Sequence, residues 1–275
     1  MQDSLWPANC PDTLYDICLE YCALNLDKTL CYKASDEHLA LKSEVFLPPY
    51  VCDALLSRLH PIGRKYLPLL ASPAAVNFRH INLKFVRDLT DVELQNVLVH
   101  RPTDLRISSQ QLTEDSLNLI NLESHNLQTL HLVNCDNIFS QRSRSKKHPW
   151  KKKIYKDQTK RIGRFQCPKV RYISLRGVQL NVGESLSYIL SELTLLTRLD
   201  LSDSNVNLQH LRVVLSQLQR LQILRLHNVS LEPNLREAAE AVAQVKSLRL
   251  AFYIIFTTNT VVSVCDCLPV CLSTW

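Results

Sequence analysis

The sequence predicts an α/β fold, a solenoid of repeated strand–helix units preceded by a helical cap. A pattern with apolar residues at positions 1, 4 and 6 occurs seven times, and its middle residues are separated by 24, 25, 43, 26, 25 and 24 residues. Five of these steps lie within the range of roughly 20–29 residues that is typical of leucine-rich repeats. The seven triplets are Phe78/Ile81/Leu83, Pro102/Leu105/Ile107, Leu127/Leu130/Leu132, Val170/Ile173/Leu175, Leu196/Leu199/Leu201, Leu221/Leu224/Leu226 and Val245/Leu248/Leu250.

Each triplet predicts a short strand, because positions 4 and 6 point to one side and can be buried against neighbouring units. Amphipathic segments at 184–193, 208–218 and 235–245 predict helices between the strands. The residue between positions 4 and 6 then faces the inner side of a curved parallel sheet. Three arginines and one aspartate predict a mildly basic concave surface there, although a solvated face without a partner is equally consistent. These residues are Asn82, Arg106, His131, Ser174, Asp200, Arg225 and Arg249.

The pattern divides the chain into three parts. Residues 1–60 are predicted to be a helical cap, 61–250 to be the leucine-rich repeats, and 251–275 to be an apolar tail without the repeat pattern. The long step between the third and fourth triplets indicates an insertion at 139–165.

Two helices are predicted in the cap. Asp12 or Thr13 can cap the first helix, and the second begins near Pro48 or Pro49, where proline is well tolerated. The first helix has an apolar stripe at spacings of three and four residues, formed by Leu14, Ile17, Cys18, Tyr21 and Cys22. Closing the open end of the solenoid would by itself account for both helices.

The same segments carry two motifs at specific spacings. Thr13-Leu14-xxx-Cys18-xxx-Cys22 resembles the BC box, through which receptor subunits bind Elongin C, although Cys22 stands where an aliphatic residue is usual. Leu47-Pro48-xx-Val51 resembles the Cullin-2 box that follows the BC box in the von Hippel–Lindau box. The order of the two motifs on two predicted helices makes the combination more specific than either motif alone.

Thr13–Cys22, with Asn25-Leu26-Asp27 and Phe46-Leu47-Pro48-Pro49, resembles the start of the Zyg-eleven/Zer-one family, and most of all its Zer-one branch. The resemblance covers about residues 10–250. It implies a von Hippel–Lindau box, leucine-rich repeats and then armadillo repeats, which recognise amino-terminal glycine degrons in the family. Only about 25 residues follow Leu250, so we expect this chain to lack the armadillo repeats.

The resemblance further implies a non-catalytic substrate receptor of a Cullin-2 ubiquitin ligase, with Elongin B/C and Cullin-2 as partners. The residues it assigns to Elongin C are Thr13, Leu14, Cys18 and Cys22. Those it assigns to Cullin-2 are Leu47, Pro48, Val51 and Leu55. A leucine-rich interaction scaffold without a ligase role is the alternative function. The protein substrate is not identifiable from these motifs.

The insertion is strongly basic. Between 141 and 165, eleven lysines and arginines are opposed only by Asp157, which leaves about +10 in a chain of net charge +6. Such a run usually forms a solvated loop. A nucleic-acid patch, with Trp150 and Tyr155 for stacking, and a nuclear import signal are the alternatives. The import signal would comprise Lys146, Lys147, Lys151, Lys152 and Lys153.

Several classes of protein are disfavoured by composition and motifs. There are only 4 glycines and no glycine-rich phosphate-binding motif, and the nine histidines show no nucleophile-and-base arrangement. Cys265, Cys267 and Cys271 do not have a common zinc spacing, so we expect neither a metal nor a cofactor. Residues 1–10 do not resemble a secretory signal, and the apolar segment 252–264 is too interrupted to span a membrane. We therefore expect a cytoplasmic or nuclear protein with reduced cysteines.

Overall fold

The computed structural model describes residues 13–35, 38–42, 45–58, 67, 77–84, 86–139, 164–180, 186–229, 242, 245, 247–248, 250–252, 254–257 and 260–263. The chain divides into two compact units, residues 1–78 and 79–275. The division falls at the start of the first leucine-rich triplet, later than the boundary expected at residue 60.

Several sequence predictions lie outside the described residues. These are the import-signal lysines Lys146, Lys147, Lys151, Lys152 and Lys153, the tail cysteines Cys265, Cys267 and Cys271, residue Arg249, and most of the helix predicted at 235–245. None of the helices in the described ranges has the length and apolar character that crossing a membrane requires.

Within the described residues, the first unit contains three helices and a β-hairpin. Helix α1, Leu14–Leu24, is followed by the single turn α2, Leu26–Thr29. Strands β1, Cys31–Ser35, and β2, His38–Leu41, pair antiparallel. Helix α3, Pro49–Arg58, begins at a proline as predicted.

The core of the first unit fixes which side of α1 is buried. Leu19 and Ala23 of α1 are buried together with Leu26, Cys31 and Leu55. Half-buried residues pack against this cluster: Cys22, Leu30, Leu41, Leu47, Val51 and Ala54. Leu19 and Ala23 are four residues apart, so α1 is held along one side of its axis.

The second unit is built on a seven-stranded parallel sheet, whose strands lie side by side in chain order. The strands are β3 His80–Leu83, β4 Asp104–Ile107, β5 Thr129–Leu132, β6 Tyr172–Ser174, β7 Arg198–Asp200, β8 Ile223–Arg225 and β9 Leu250–Phe252. In the part of the chain that the structure describes, four helices alternate with them: α4 Asp91–Leu98, α5 Glu114–Glu123, α6 Leu186–Leu190 and α7 Leu208–Gln217. A 3-10 turn, Asp136–Phe139, follows β5, and an antiparallel hairpin, β10 Ile254–Thr257 and β11 Thr260–Ser263, follows β9.

The register of this sheet confirms the leucine-rich-repeat prediction. The middle residues of six triplets are aligned across neighbouring strands, and all six are buried; they are Ile81, Leu105, Leu130, Ile173, Leu199 and Leu224. One strand is added per step even at the long step of 43 residues between Leu130 and Ile173. The fold is therefore an α/β leucine-rich-repeat arrangement.

The prediction of the seventh triplet, Val245/Leu248/Leu250, is wrong. β9 pairs Leu224 with Ala251, so that Ala251 holds the middle position three residues later than expected. The register position beside Arg225 accordingly belongs to Phe252 and not to Arg249.

A turn before the strand accounts for this shift. In the sixth repeat the Leu221 N–H donates to the Leu218 carbonyl at 3.1 Å, and Leu221 is the first residue of its triplet. In the last repeat the Leu248 N–H donates to the Val245 carbonyl at 3.0 Å in the same way. Leu248 is therefore the first residue of its triplet. The predicted frame, Val245/Leu248/Leu250, matched the pattern better because the observed frame has the small residue Ala251 at its middle position.

A recurrent left-handed residue follows four of the strands. Asn134, Gly177, Asp203 and Asn228 lie two positions after the last apolar residue of their triplets and have φ of 53°, 70°, 58° and 55°. Asn, Asp and Gly tolerate this conformation best. A Cβ on Gly177 would also overlap the Asn134 side-chain oxygen. This position was missed because the repeat consensus emphasises the following residue, which is Cys135 in one repeat.

The two ends of the basic insertion lie together. The rings of Phe139 and Phe165 meet edge to face with centroids 6.0 Å apart. Asn121 of α5 donates to the Arg164 carbonyl and accepts from the Gln166 N–H, each at 2.8 Å. The residues that flank the insertion, Phe139 and Phe165, therefore lie close together within the repeats.

Replacing residues 141–163 with a short Gly-Ser linker should shift the melting temperature by only about 2 °C, because the anchoring contacts remain on both sides. Arg164 is kept because it pairs with Glu192 at 2.9 Å. Circular dichroism melting of the two chains measures the shift. A fall of more than about 8 °C would show that the segment contributes to the fold. Loss of nuclear signal from a folded variant would support the import function.

Candidate protein-docking surface

The outward face of α1 is apolar and exposed. Leu14, Ile17, Tyr21 and Leu24 are exposed by 77%, 54%, 60% and 74%, and Cys18 lies exposed among them. We call these five residues the α1 stripe. Their spacing of three and four residues puts them on one side of the helix, opposite Leu19 and Ala23.

Polar contacts hold the start of α1 in place. The Thr13 hydroxyl accepts a hydrogen bond from the Asp16 N–H at 3.2 Å and donates to the Asp16 carboxylate at 2.5 Å. Arg58 of α3 forms an ion pair with the same carboxylate at 2.5 Å. The Thr13 hydrogen bond and the Arg58 charge keep the pKa of Asp16 below its usual value. The backbone that carries Leu14 is thus fixed to α3.

The predicted Elongin C residues have different environments. Leu14 and Cys18 lie on the exposed α1 stripe, and Thr13 is the N-cap of the helix. Cys22 is half-buried against the core of the first unit. Three of the four residues thus lie at or beside one surface, whereas Cys22 helps to pack the helix.

The predicted Cullin-2 residues lie mainly on the inner side of α3. Leu55 is buried at 5% exposure, and Leu47 and Val51 are half-buried against the same core. Pro48 is half-buried, and its carbonyl accepts from the backbone N–H groups of the first helical turn.

Two aromatic side chains beside Pro48 are exposed instead. Phe46 and Tyr50 are exposed by 71% and 68%. They are four residues apart, whereas Leu47 and Val51 are half-buried against the core. The box pattern specifies apolar residues at the latter positions, so it did not single out Phe46 and Tyr50; their own i, i+4 spacing was the signal available.

The face of the sheet that was expected to be concave is a second candidate surface, and we call it the concave face. The register places Asn82, Arg106, His131, Ser174 and Asp200 side by side on successive strands. The His131 ring meets the Tyr172 ring edge to face at 4.7 Å, and Arg106 forms a two-point contact with Asp104 at 3.0 and 3.1 Å. This row agrees with the inner face expected from the sequence.

His131 is neutral at physiological pH. Burial, together with the charges of Arg106 and Lys84, lowers the pKa of His131 to about 4, against the opposing effect of Asp104 and Asp200. Its Nε2 atom is buried without a hydrogen-bond partner in the structure. His131 therefore acts as a packing group at the base of the concave face.

A polar cavity of about 550 Å³ opens at the carboxyl ends of β3–β5. Its lining contains two cations and one carboxylate among hydroxyl and amide groups: Lys84, Arg87, Asp88, Ser108, Ser109, Gln110, Gln111 and Asn134. Within the part of the chain that the structure describes, no group of three or more His, Cys, Asp or Glu residues is placed to hold a metal ion.

Comparison with solved structures returns leucine-rich-repeat proteins at low similarity. Internalin C2 from Listeria monocytogenes has a TM-score of 0.37 and 12% identity, over 79% of this chain and 80% of that chain. The leucine-rich repeat-containing protein LegL7 from Legionella pneumophila has a TM-score of 0.38 and 14% identity, over 81% and 77%. The parallel sheet and its register establish the fold of this unit.

Comparison by sequence identifies one group of relatives, while no family model matches the chain. Proteins named Protein zer-1 homolog from Pongo abelii and Homo sapiens are each 29% identical over 140 residues, and the one from Mus musculus is 28% identical. Each match covers 47% of this chain and only 18% of the relative's length. These matches support a Zer-one family relationship for this chain, as the residues of its amino-terminal region indicated.

Proposed function

We propose that this chain binds Elongin C through the α1 stripe and joins Cullin-2 as a substrate-receptor subunit of a ubiquitin ligase. Its role is non-catalytic, and we expect it in the cytoplasm or nucleus. The observation that carries the proposal is Leu14, which is 77% exposed at the start of a helix whose opposite side is fixed in a core. The BC-box and Cullin-2-box resemblance and the Zer-one relationship support the same function.

Physical chemistry favours a helical docking mode for the α1 stripe. Full burial of a leucine side chain contributes about 1.5–3 kcal/mol, so leaving Leu14 and Leu24 in water forgoes a substantial stabilisation. Apolar anchors at spacings of three, four and seven residues are the pattern by which amphipathic helices bind in hydrophobic grooves. The Thr13 cap and the Arg58–Asp16 ion pair keep the helix ordered before binding, which lowers the entropic cost of association.

For Cullin-2, we propose that Pro48 and Val51 shape the docking segment while Phe46 and Tyr50 make the contact. The positions of these side chains relative to the core support this assignment. Leu47 and Leu55 pack towards the core and hold α3, whereas the two aromatic side chains lie in solvent beside Pro48. Tyrosine and other aromatic residues are enriched among the residues that dominate interface energies.

Co-purification tests the choice of cullin. A tagged chain expressed in cells should recover Elongin B/C and Cullin-2. The Phe46→Ala/Tyr50→Ala variant should lose about tenfold or more of the Cullin-2 while retaining Elongin C, because Phe46 and Tyr50 lie just before and at the start of α3, whereas the stripe lies on α1. Tyr32→Ala, which removes another exposed tyrosine of the first unit, is the matched control. Recovery of Cullin-5 in place of Cullin-2 would contradict the assignment.

A further inference from the structure

We propose that the concave face of β3–β5, with the cavity at the carboxyl ends of these strands, binds an acidic peptide segment in extended conformation. Lys84 is the cation that receives its carboxylate. This proposal goes beyond the ligase role, and neither Elongin C nor Cullin-2 is needed to test it.

The position of Lys84 joins the two parts of the site. Register pairing puts Asn82, Arg106 and His131 on adjacent strands, which are about 4.8 Å apart in a sheet. Lys84 comes two residues after Asn82, on the same side by the alternation of a strand, and it also lines the cavity. The cavity volume of about 550 Å³ lies within the range of roughly 300–1,000 Å³ that is typical of ligand sites.

Several other charges of the concave face already have partners. Asp104 holds Arg106, and Asp203 holds Arg176 at 2.7 Å. Asp200 accepts hydrogen bonds from the Ser202 N–H at 3.0 Å and the Ser174 hydroxyl at 3.4 Å.

Lys84 differs from these groups. Among the described residues, none forms an ion pair with its ammonium group. Burial and the charges of Arg106 and Arg176 lower the pKa of Lys84, although Asp104 and Asp200 oppose them. An incoming carboxylate would stabilise the charged ammonium group against both its burial and the repulsion by the two arginines. The site is therefore complementary to a single negative group at this point.

The rest of the cavity lining favours a peptide over a nucleic acid. Ser108, Gln110, Gln111 and Asn134 supply hydroxyl and amide groups that can hydrogen-bond the amide and carbonyl groups of an extended backbone. Nucleic-acid binding depends on several cations that each neutralise a phosphate. Here Asp88 stands beside Lys84 and Arg87 and would repel a second phosphate.

Fluorescence anisotropy with a defined probe tests the proposal. A fluorescein-labelled twelve-residue peptide of alternating Glu and Ser is titrated with the purified full chain, and a Lys-Ser peptide serves as the probe of opposite charge. We expect saturable binding of the acidic probe only. Lys84→Gln should weaken it by about tenfold, because it removes a charge-assisted hydrogen bond, and Lys84→Arg should largely restore it.

The matched control is Lys169→Gln, which removes one exposed positive charge from the turn before β6. It should change affinity by less than about twofold. Equal affinity of wild type and Lys84→Gln would place the probe elsewhere, for example on the basic insertion, and would overturn the proposal. Absence of saturable binding would also overturn it. So would tighter, Lys84-dependent binding of a twelve-nucleotide single-stranded DNA. Melting curves establish that each variant is folded.

Discussion

Replacing Phe165 with alanine should destabilise the repeat unit by about 3–5 kcal/mol, the usual cost of truncating a buried phenylalanine. Phe165 is fully buried, and its ring meets Phe139 edge to face at 6.0 Å. Its N–H donates to the Ile189 carbonyl of α6 at 3.0 Å. Phe165 thus connects the end of the basic insertion to both neighbouring repeats, through its ring on one side and its backbone on the other. Equilibrium unfolding in urea, monitored by circular dichroism, measures the loss.

Two comparisons make this result specific. Phe165→Leu leaves most of the apolar volume in place and should cost clearly less than the alanine variant. Val92→Ala removes an exposed side chain, 62% accessible on α4, and should change the free energy of unfolding by less than about 0.5 kcal/mol. A loss below about 1 kcal/mol for Phe165→Ala would contradict a stabilising role for the contacts between Phe165 and the neighbouring repeats.

Leu14→Ala should weaken Elongin C binding by about 2–4 kcal/mol, which corresponds to a factor of roughly 30 to 900 in dissociation constant. The proposed mode buries Leu14 in an apolar pocket of the partner. In the free chain Leu14 is 77% exposed, so the same substitution should hardly change the stability of the first unit. Surface plasmon resonance on immobilised Elongin B/C measures the affinity.

The controls separate docking from folding. Cys18→Phe adds bulk to the same exposed face and should also weaken binding, because it clashes with a partner seated on Leu14. Val92→Ala removes an exposed aliphatic group from the second unit and should leave the affinity unchanged. Full affinity of the folded Leu14→Ala/Cys18→Phe variant would remove the BC-box interpretation.

The repeat architecture was predictable because its signal is redundant. Six triplets specify strands whose buried positions align in register, and local turns agree with the pattern. The last repeat was misplaced because two frames three residues apart satisfy the pattern, Val245/Leu248/Leu250 and Leu248/Ala251/Tyr253. Only pairing with the preceding strand decides between the frames, and that is a contact distant in sequence.

The docking surface was predictable in its residues but not in its orientation. Helix α1 carries apolar residues on both sides, Leu14 and Tyr21 on one and Leu19 and Ala23 on the other. A spacing rule identifies each stripe without telling which stripe is buried, because burial depends on the residues of β1 and α3 that complete the core. For the same reason the motif pointed to Leu47 and Val51, while the structure leaves Phe46 and Tyr50 exposed.

The concave surface was likewise predictable only in part. Alternation along the strands identified Arg106, His131 and Asp200 as inner-face residues, and the register confirms them. Alternation could not show that Asp104 and Asp203 neutralise two arginines, or that Lys84 beyond the strand end remains without an ion pair within the described residues. Those facts depend on side-chain geometry between repeats.

Titration calorimetry of the purified chain with Elongin B/C, combined with hydrogen exchange on the complex, tests the central claim most directly. If the α1 stripe is the docking surface, the heats should fit one site per chain with a dissociation constant of about 1 μM or below. Binding should slow the exchange of amides in residues 14–24, because the helix is stabilised by its partner. No heat of binding at roughly 100 μM protein, or binding whose protection lies outside residues 14–24, would contradict the account.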